Sequence, residues 1–596
     1  MTPNAVPATT KSYALSSDRP AANQPGIAAS LLRLAPLLSA EGRSVAIAFV
    51  AVVISSVAAL MGPLIIARTV DTAITTGDFD GVLWAAAALF GIYTTASFTT
   101  YVQTQTMGTV GRRVLFGLRN QLFTKLQALP LEFFTRNKAG DLISRITNDT
   151  DKLNQFFAQG LVQLASNLAM MTGAAIFLLT LDIRLGAAAL APALCVLVLT
   201  RLSGPWVGRL NVRSLQALGG LSGEIQESLA NFKVIVAFNR RDYFKRWFND
   251  ANTRNFEASV ASSLSNSLFL PVYGLAYNLA QVIVLLYGIS LITSGDATVG
   301  LLIGFLMYVS NFYMPLRQLA TVWASFQMAL AGLDRVSEVL QLQSDMPVLD
   351  APPVPITDVV LEFDRVGFGY PGGQEVLRDV SFSLVRGRTY ALVGPTGGGK
   401  TTTAALMARL YDPIRGRVRL NGRDIRSYAP EDRVARVGFI LQEPFLFSGT
   451  VRDNIVYGNR AIADRSAAEL ATLLAQRDLG ELIARFEQGL DTPVTSGGET
   501  ISLGQKQLVA FMRAVLRDPE LLILDEATAN VDTVTEQLLE RLLGLLPDST
   551  TKVIIAHRLN TIADADEIFF INAGAITPAG SMDHALDLLL HGKRES

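Results

Sequence analysis

The sequence predicts a chain of two unlike parts, an all-α domain with six transmembrane helices followed by a soluble α/β domain. The first observation is that 50% of the 596 residues are hydrophobic and only 17% are charged. The second is that the long apolar runs lie before about residue 325, whereas the chain after residue 358 has the charge density of a soluble domain. This uneven distribution indicates a membrane part and a soluble part.

Composition divides the chain into four segments. Residues 1–28 are rich in Ala, Pro, Ser, Thr and Asn and are expected to form a disordered tail. They lack the basic start and short apolar core of a signal peptide. Residues 29–335 form the predicted transmembrane domain, residues 336–357 a linker rich in Pro and Asp, and residues 358–596 the α/β domain.

Six apolar stretches approach or exceed the roughly 20 residues that a helix needs to cross about 30 Å of hydrocarbon. Each contains Gly, Ser, Thr or Asn among the aliphatic residues, as is typical of helices that pack together in lipid. Six such runs in one half of the chain disfavour the alternative of buried helices in a large soluble protein. The predicted spans are approximately residues 45–66, 82–101, 161–181, 185–202, 264–292 and 299–323.

The connecting segments differ in charge. Asp71, Asp78 and Asp80 follow the first span and Asp296 follows the fifth, with no basic residue after Arg68 in these two loops. The segments after the second and fourth spans each carry eight Lys or Arg residues, and their helix-like pattern predicts helices that continue beyond the bilayer. By the positive-inside tendency these two segments are cytoplasmic, which also places both termini and the α/β domain in the cytoplasm.

Composition also excludes several classes of partner and site. A net charge of −1 gives no reason to expect nucleic acid as a partner. The single cysteine, Cys195, lies in an apolar run, so no disulfide can form within the chain. Three histidines and one cysteine argue against a structural zinc site.

The strongest motif of the α/β domain is a glycine-rich phosphate-binding loop. It follows an apolar run at 390–393 and precedes a helix-like stretch at 402–410, which is the required order of strand, loop and helix. Glycines let backbone N–H groups surround phosphate oxygens, Lys400 adds positive charge near the terminal phosphates, and Thr401 offers a hydroxyl to Mg²⁺. We therefore predict a nucleotide site rather than a structural glycine turn. The loop consists of Gly394, Pro395, Thr396, Gly397, Gly398, Gly399, Lys400 and Thr401, with Thr402 directly after it.

A second site element follows a predicted buried strand at 521–524, which ends in Asp525 and Glu526. Ligands of an open parallel sheet lie beyond the carboxyl ends of its strands, so this pair is expected beside the phosphate loop. Asp525 suits Mg²⁺ through its water shell, and Glu526 is placed to orient and polarise the attacking water as the catalytic carboxylate.

These motifs follow the six predicted membrane spans along the chain. In this order of parts, residues from about 30 to 590 resemble a half-transporter of the ATP-binding cassette (ABC) exporter family. Four further residues match the family's motifs in order. The resemblance implies that Tyr370 stacks on adenine, that Gln442 joins the Mg²⁺ site to the membrane domain, that Asp532 lies in the loop after the catalytic carboxylate, and that His557 is the switch histidine. Taken alone, Tyr370 also fits a half-buried strand aromatic, Gln442 a solvated loop residue and His557 a structural histidine.

The sequence at 501–505 matches the family's signature motif. The resemblance implies that Ser502, Gly504 and Gln505 contact the γ-phosphate of ATP held by a second subunit, so that a dimer is required. Ile501 and Leu503 replace the usual first Leu and first Gly of the motif. The pattern is similar to the catalytically complete partner of some heterodimeric exporters, which leaves both a homodimer and a heterodimer open.

The two basic segments match the family's intracellular loops, notably at 140–149 and near 229–237. The resemblance implies that short helices in them seat on the nucleotide domains and transmit their closure. We therefore expect a multi-pass transporter of the bacterial inner or plasma membrane that couples ATP hydrolysis to export. A lipophilic or amphipathic small molecule, a lipid or a peptide is the expected substrate. An importer with the exporter fold and an ATP-gated channel or regulator remain the alternatives.

Overall fold

A computed structural model describes residues 13–15, 36–350, 354–355, 357–370, 373–498, 500–525, 533–544, 546–555, 565–580 and 584. The chain divides into two compact units. The helical unit comprises Leu15–Gln127 and Ala139–Gln341, and the α/β unit comprises Met1–Ala14, Ala128–Lys138 and Leu342–Ser596.

The helices of the first 341 residues include six that are long and apolar enough to cross a membrane. Each contains one of the six predicted spans, so that prediction is confirmed. At about 1.5 Å per residue, the 49 residues of the second long helix measure roughly 70 Å, so the helices do continue well beyond a bilayer. The helices are α1 Pro36–Ile74, α2 Phe79–Gln127, the short α3 Leu131–Arg136, α4 Ala139–Leu181, α5 Ile183–Ala230, the short α6 Phe232–Ala237, α7 Arg241–Thr293 and α8 Val299–Gln341.

Helix α8 packs against α1, α4 and α7 and supplies much of the buried face of the helical unit. Two of its tyrosines bury their hydroxyls by donating hydrogen bonds to main-chain oxygens, Tyr308 to Leu60 at 2.7 Å and Tyr313 to Ala189 at 2.9 Å. In hydrocarbon such groups need partners within the protein, since no water is present to replace them. Large apolar side chains such as Trp84 are instead exposed, as expected for a surface that faces lipid.

A cluster of ionised side chains joins the first basic segment to the end of α8. Arg145 is only 1% exposed and contacts Asp141 at 2.9 Å and Glu338 at 2.8 Å. Arg335 also contacts Asp141 and pairs with Asp149 at 3.0 Å. Buried charge is tolerated here because cations and carboxylates alternate through the cluster.

The α/β unit contains one mainly parallel sheet and one antiparallel sheet. The six-stranded sheet has the order β12-β11-β3-β10-β9-β6, and all neighbours are parallel except β11 and β12. The antiparallel sheet has the order β2-β1-β4-β5, and β7 pairs with β8. The strands are β1 Val359–Gly369, β2 Glu375–Val385, β3 Thr389–Val393, β4 Arg415–Leu420, β5 Arg423–Asp424, β6 Val437–Ile440, β7 Gly449–Thr450, β8 Pro493–Val494, β9 Leu521–Asp525, β10 Thr551–Ile555, β11 Glu567–Asn572 and β12 Ala575–Pro578.

The helices of this unit cover the sheets, and two clusters of buried aliphatic and aromatic side chains form its core. The α/β class predicted from the sequence is therefore confirmed. The helices are α9 Lys400–Met407, α10 Pro430–Arg436, α11 Val451–Val456, α12 Ala467–Gln476, α13 Gly480–Ile483, α14 Leu503–Val515 and α15 Thr533–Gly544.

Three boundaries differ from the sequence-based expectations. Helix α9 occupies Lys400–Met407 rather than 402–410, because the left-handed conformation of Gly399 ends the loop directly before Lys400. Helix α8 runs to Gln341 and so includes the first part of the expected linker at 336–357, since Val336 and Val339 are buried. Tyr13, within the tail expected to be disordered, is buried against the α/β unit; most of residues 1–28 lie outside the described residues.

We expect Arg145→Ala to lower the free energy of unfolding by about 3 kcal/mol, because Asp141 and Glu338 would lose the cation that both contact. The measurement is the apparent melting temperature of the detergent-solubilised protein. Arg113→Ala is the matched control: its 3.1 Å pair with Glu41 lies at the surface, and such pairs contribute about 1 kcal/mol or less. Equal losses in the two variants would contradict a structural role for the buried cluster.

Candidate nucleotide-binding site

The phosphate-binding loop connects β3 to α9, and its backbone favours glycine at three points, Gly394, Gly397 and Gly399. Gly394 has a φ of 147° and Gly399 a φ of 114°, values that residues with a Cβ rarely adopt. A Cβ at Gly394 would also overlap the carbonyl oxygen of Ile571 in β11. The loop is therefore pressed against the neighbouring strand, while Pro395 and Thr396 at its tip are exposed.

Lys400, the first residue of α9, is buried at the base of this loop. Its ammonium donates hydrogen bonds to the carbonyl oxygens of Gly394 at 2.9 Å and Pro395 at 3.1 Å. The positive charge, the start of the helix and the backbone N–H groups of the loop consequently converge on one small region. Such an arrangement attracts the oxygens of an anion.

The register of the parallel sheet brings Asp525 to the same region. Strand β10 lies between β3 and β9, and Ile555 is in register with both Leu392 and Asp525. Asp525 is the last residue of β9, is almost fully buried, and accepts a hydrogen bond from the Thr401 hydroxyl at 3.5 Å. The expected meeting of the loop with the first carboxylate is therefore observed, although 124 residues separate them along the chain.

Tyr370 lies directly after β1 and reaches the first turn of α9. Its hydroxyl is 3.1 Å from that of Thr402, and its ring makes edge-to-face contacts with Phe368 and Tyr411. The ring is 38% exposed, so part of its surface remains accessible beside the loop. Tyr370 is therefore a half-buried aromatic beside the loop, and its stacking on adenine stays a prediction.

The signature residues lie together at the start of α14. The Ser502 side chain accepts a hydrogen bond from the Gln505 N–H at 3.2 Å, and the Gln505 side chain accepts one from the Ser502 N–H at 2.9 Å. Gln505 also donates to the carbonyl oxygen of Arg485 at 2.7 Å, while Gly504 is buried. Ser502 itself is exposed, so this reciprocal cap holds an accessible serine at a helix N-terminus.

Gln442 follows β6 and lines a cavity of about 390 Å³ together with residues near the signature motif. The sequence indicated Gln442 but gave no signal that Glu443 and Lys506, two oppositely charged residues far apart along the chain, line the same cavity. The lining residues are Gln442, Glu443, Pro444, Phe445, Gly497, Leu503 and Lys506.

Two supporting residues of the loop were also missed, Ile571 and Gly574. The Ile571 carbonyl oxygen would lie 2.7 Å from a Cβ at Gly398, and the Gly574 N–H donates to the Gly398 carbonyl oxygen at 3.4 Å. Neither belongs to a recognisable local pattern. Three predicted site residues, Glu526, Asp532 and His557, lie outside the described residues.

Comparisons with known proteins agree with this arrangement. The family model described as ABC transporter transmembrane region matches residues 45–316, and that described as ABC transporter matches residues 377–529. The fatty acid ABC transporter ATP-binding/permease protein of Mycobacterium tuberculosis is 32% identical over 85% of this chain and 79% of its own length. The multidrug resistance ABC transporter ATP-binding and permease protein of Lactococcus lactis is 30% identical over 83% of each chain.

A solved structure of a bacterial Atm1-family ABC exporter with ATP bound has a TM-score of 0.77 and 28% identity, and covers 93% of this chain and 96% of its own. The match therefore includes both the helical and the α/β part. The protein in that solved structure is an exporter, which disfavours the importer alternative. The chain belongs to the ABC transporter family: it is a multi-pass membrane half-transporter that dimerises, binds and hydrolyses ATP in its α/β domain, and uses that hydrolysis for export.

Proposed function

We propose that this half-transporter hydrolyses ATP with Mg²⁺ at the loop formed by residues 394–401 together with Asp525 and Glu526, and thereby exports a lipophilic or amphipathic compound. The observation that carries the proposal is the 3.5 Å contact between the Thr401 hydroxyl and the Asp525 carboxylate, beside the buried Lys400 ammonium. This is one hydroxyl, one carboxylate and one cation at the carboxyl edge of a parallel sheet, where phosphoryl transfer needs them.

The donor set fits Mg²⁺, which binds proteins through one or two oxygen ligands and retains waters and phosphate oxygens as the others. Thr401 would hold the ion directly and Asp525 through water, with Gln442 as a further oxygen donor. When bound, Mg²⁺ offsets negative charge on the β- and γ-phosphate oxygens. Among the described residues no group of three His, Cys, Asp or Glu side chains competes for a metal ion.

Each remaining residue has one role in this proposal. The N–H groups of Gly397, Gly398 and Gly399 bind phosphate oxygens, and Tyr370 stacks on adenine. Glu526 follows the last residue of β9 and orients the attacking water. His557 follows β10, the strand between β3 and β9, and contacts the γ-phosphate and Glu526.

We further propose that the signature motif of a second subunit completes each site. The accessible Ser502 at the start of α14, with the Gly504 N–H behind it, supports this assignment because a helix N-terminus favours an anion. Asp532 would lie in the same dimer interface. The chain carries both halves of the site, so the partner is either a second copy or a related half-transporter.

The exposed apolar residues of α6 support docking between the loop at 229–237 and a nucleotide domain. Phe232, Val234 and Val236 of α6 and Phe238 directly after it are all exposed, in the second basic segment. Exposed apolar patches next to charged surroundings mark protein interfaces. Each of the two basic segments carries eight Lys or Arg residues, which favours a cytoplasmic position for both segments and for the ATP site. The proposed membrane is the bacterial inner or plasma membrane.

The cargo proposal is supported by the relatives and by a cavity in the helical unit. The named relatives act on fatty acids or confer multidrug resistance. Between α1 and α4 lies a cavity of about 580 Å³ whose walls are almost entirely apolar, with Ser56 and Thr172 as polar members. Such a lining accommodates a hydrocarbon chain better than a sugar or an amino acid.

We expect Glu526→Gln to lower steady-state ATP hydrolysis by about 100-fold or more, while ATP binding is retained and the closed dimer accumulates. The amide keeps the shape of the side chain but no longer polarises the attacking water. Hydrolysis is measured as phosphate release and binding with a fluorescent ATP analogue. Glu540→Gln on α15, which changes an exposed carboxylate, should leave both unchanged. Near-normal turnover in Glu526→Gln would remove this residue from its assigned role.

We expect Asp525→Asn to raise the Mg²⁺ concentration for half-maximal ATPase by roughly 10- to 100-fold, because the carboxylate that holds the coordinated water loses its charge. The assay is an Mg²⁺ titration at saturating ATP, and nucleotide binding without Mg²⁺ should change little. Asp548→Asn, at an exposed position, is the control. An unaltered Mg²⁺ requirement in Asp525→Asn would refute the proposed metal site.

For the cargo, we expect fatty acids and cationic amphiphiles, but not sugars or amino acids, to stimulate the ATPase of the reconstituted dimer. Thr172→Trp, which fills part of the apolar cavity, should abolish this stimulation and leave basal hydrolysis intact. Leu179→Trp places the same indole ring at an exposed site on the same helix, outside the cavity lining, and should behave as wild type. Stimulation by polar compounds alone would contradict the proposed class, and steady ionic current through reconstituted bilayers would favour the channel alternative.

A further inference from the structure

Tyr13, far upstream of the first membrane helix, is 1% exposed although the next residue, Ala14, lies at the surface. The Tyr13 hydroxyl donates a hydrogen bond to the Gln343 carbonyl oxygen at 3.1 Å and accepts one from the Asp345 N–H at 2.9 Å. Gln343 and Asp345 belong to the segment that follows the end of α8 at Gln341. The hydroxyl of one tyrosine therefore bridges two main-chain groups at the entry to the α/β unit.

The same residue also holds the short helix α3. The Tyr13 ring lies edge-to-face against Phe133, with ring centres 6.5 Å apart, and Phe133 is itself fully buried. The Tyr13 carbonyl oxygen accepts a hydrogen bond from the Asn137 side chain at 2.9 Å, just past the end of α3. Tyr13 thus contacts two segments that are about 200 residues apart along the chain.

Helix α3 lies between α2, which ends at Gln127, and α4, which begins at Ala139, yet it belongs to the same compact unit as the nucleotide site. Thr135 of α3 lies near the Tyr411 hydroxyl, and the Tyr411 ring packs edge-to-face on Tyr370 at a centre distance of 5.4 Å. A short series of contacts therefore leads from Tyr370, which we propose stacks on adenine, to α3.

The buried hydroxyl of Tyr13 both donates and accepts a hydrogen bond. Burial raises the pKa of Tyr13, so the side chain stays neutral throughout the physiological range and can both donate and accept. Without the hydroxyl, the Gln343 carbonyl and the Asp345 N–H would lose the bridge between them. A residue that only filled space would not need this geometry.

We propose that Tyr13 is a positioning residue for coupling: it clamps α3 to the segment after α8, so that α3 and this segment move as one block when the nucleotide domain responds to ATP. Because α3 is joined to α2 and α4, and the second segment to α8, the clamp ties three membrane helices to the same motion. Its loss should leave ATP binding and hydrolysis chemistry in place but weaken the response of the membrane helices.

The test is hydrogen–deuterium exchange of the full-length reconstituted dimer, compared without nucleotide and with Mg²⁺, ATP and vanadate. In wild type, exchange should change in both the α/β unit and the helical unit. In Tyr13→Ala, the change at residues 394–401 should persist, whereas the changes in α2, α4 and α8 should shrink roughly fivefold or more. Tyr13→Phe keeps the ring and loses the hydroxyl, so an intermediate loss is expected.

A matched control exchanges the two neighbouring residues. Tyr13→Ala with Ala14→Tyr has the wild-type composition but moves the ring to an exposed position, and it should behave like Tyr13→Ala. Membrane-helix responses of wild-type size in Tyr13→Ala, or in the exchanged variant, would overturn the proposal. If Tyr13→Ala does not assemble, Tyr13→Phe decides: a reduced helical response at unchanged melting temperature supports the clamp, and an unchanged response refutes it.

Discussion

Parallel pairing of β10 with both β3 and β9 is the constraint on which the nucleotide site depends. Parallel neighbours end at the same edge, so Val393 at the start of the loop, Asp525 and Ile555 lie at one edge of the sheet. Close packing adds a second condition, because the loop touches the Ile571 carbonyl in β11 and leaves no room for a Cβ at Gly394. Charge, hydroxyl and carboxylate are thereby positioned by main-chain geometry rather than by flexible side chains.

The helical unit satisfies a different physical requirement. Many of its large apolar side chains face outward, where a soluble protein would place polar ones, and the buried hydroxyls of Tyr308 and Tyr313 donate to main-chain oxygens. The helical unit also contains buried charge in the ionic cluster around Arg145, which lies in the first basic segment and joins it to α8. Such a cluster is costly to break on one side only, so charge adds to the apolar packing that holds the two segments together.

We expect motions of the nucleotide domain to reach the membrane helices in part through the places where the chain itself runs between the two units. Helix α3 is one of them, since it lies within the α/β unit while its flanking helices lie in the helical unit. Phe133 inside this helix and Tyr13 against it make a small aromatic contact that is connected by hydrogen bonds to the segment after α8. Small, closely packed contacts of this kind transmit displacement because they are rigid.

The sequence by itself determined the six membrane helices, the phosphate loop and the carboxylate of Asp525 at the end of β9, because length, hydropathy and glycine spacing are local properties. It also determined the family, through the order of its motifs. Only the tertiary structure decided that Thr401 meets Asp525, that Ile571 and Gly574 support the loop, that α8 extends to Gln341 and that Tyr13 is buried. These depend on contacts between residues distant along the chain, and burial of such residues follows from the packing of whole elements rather than from any pattern in their own segment.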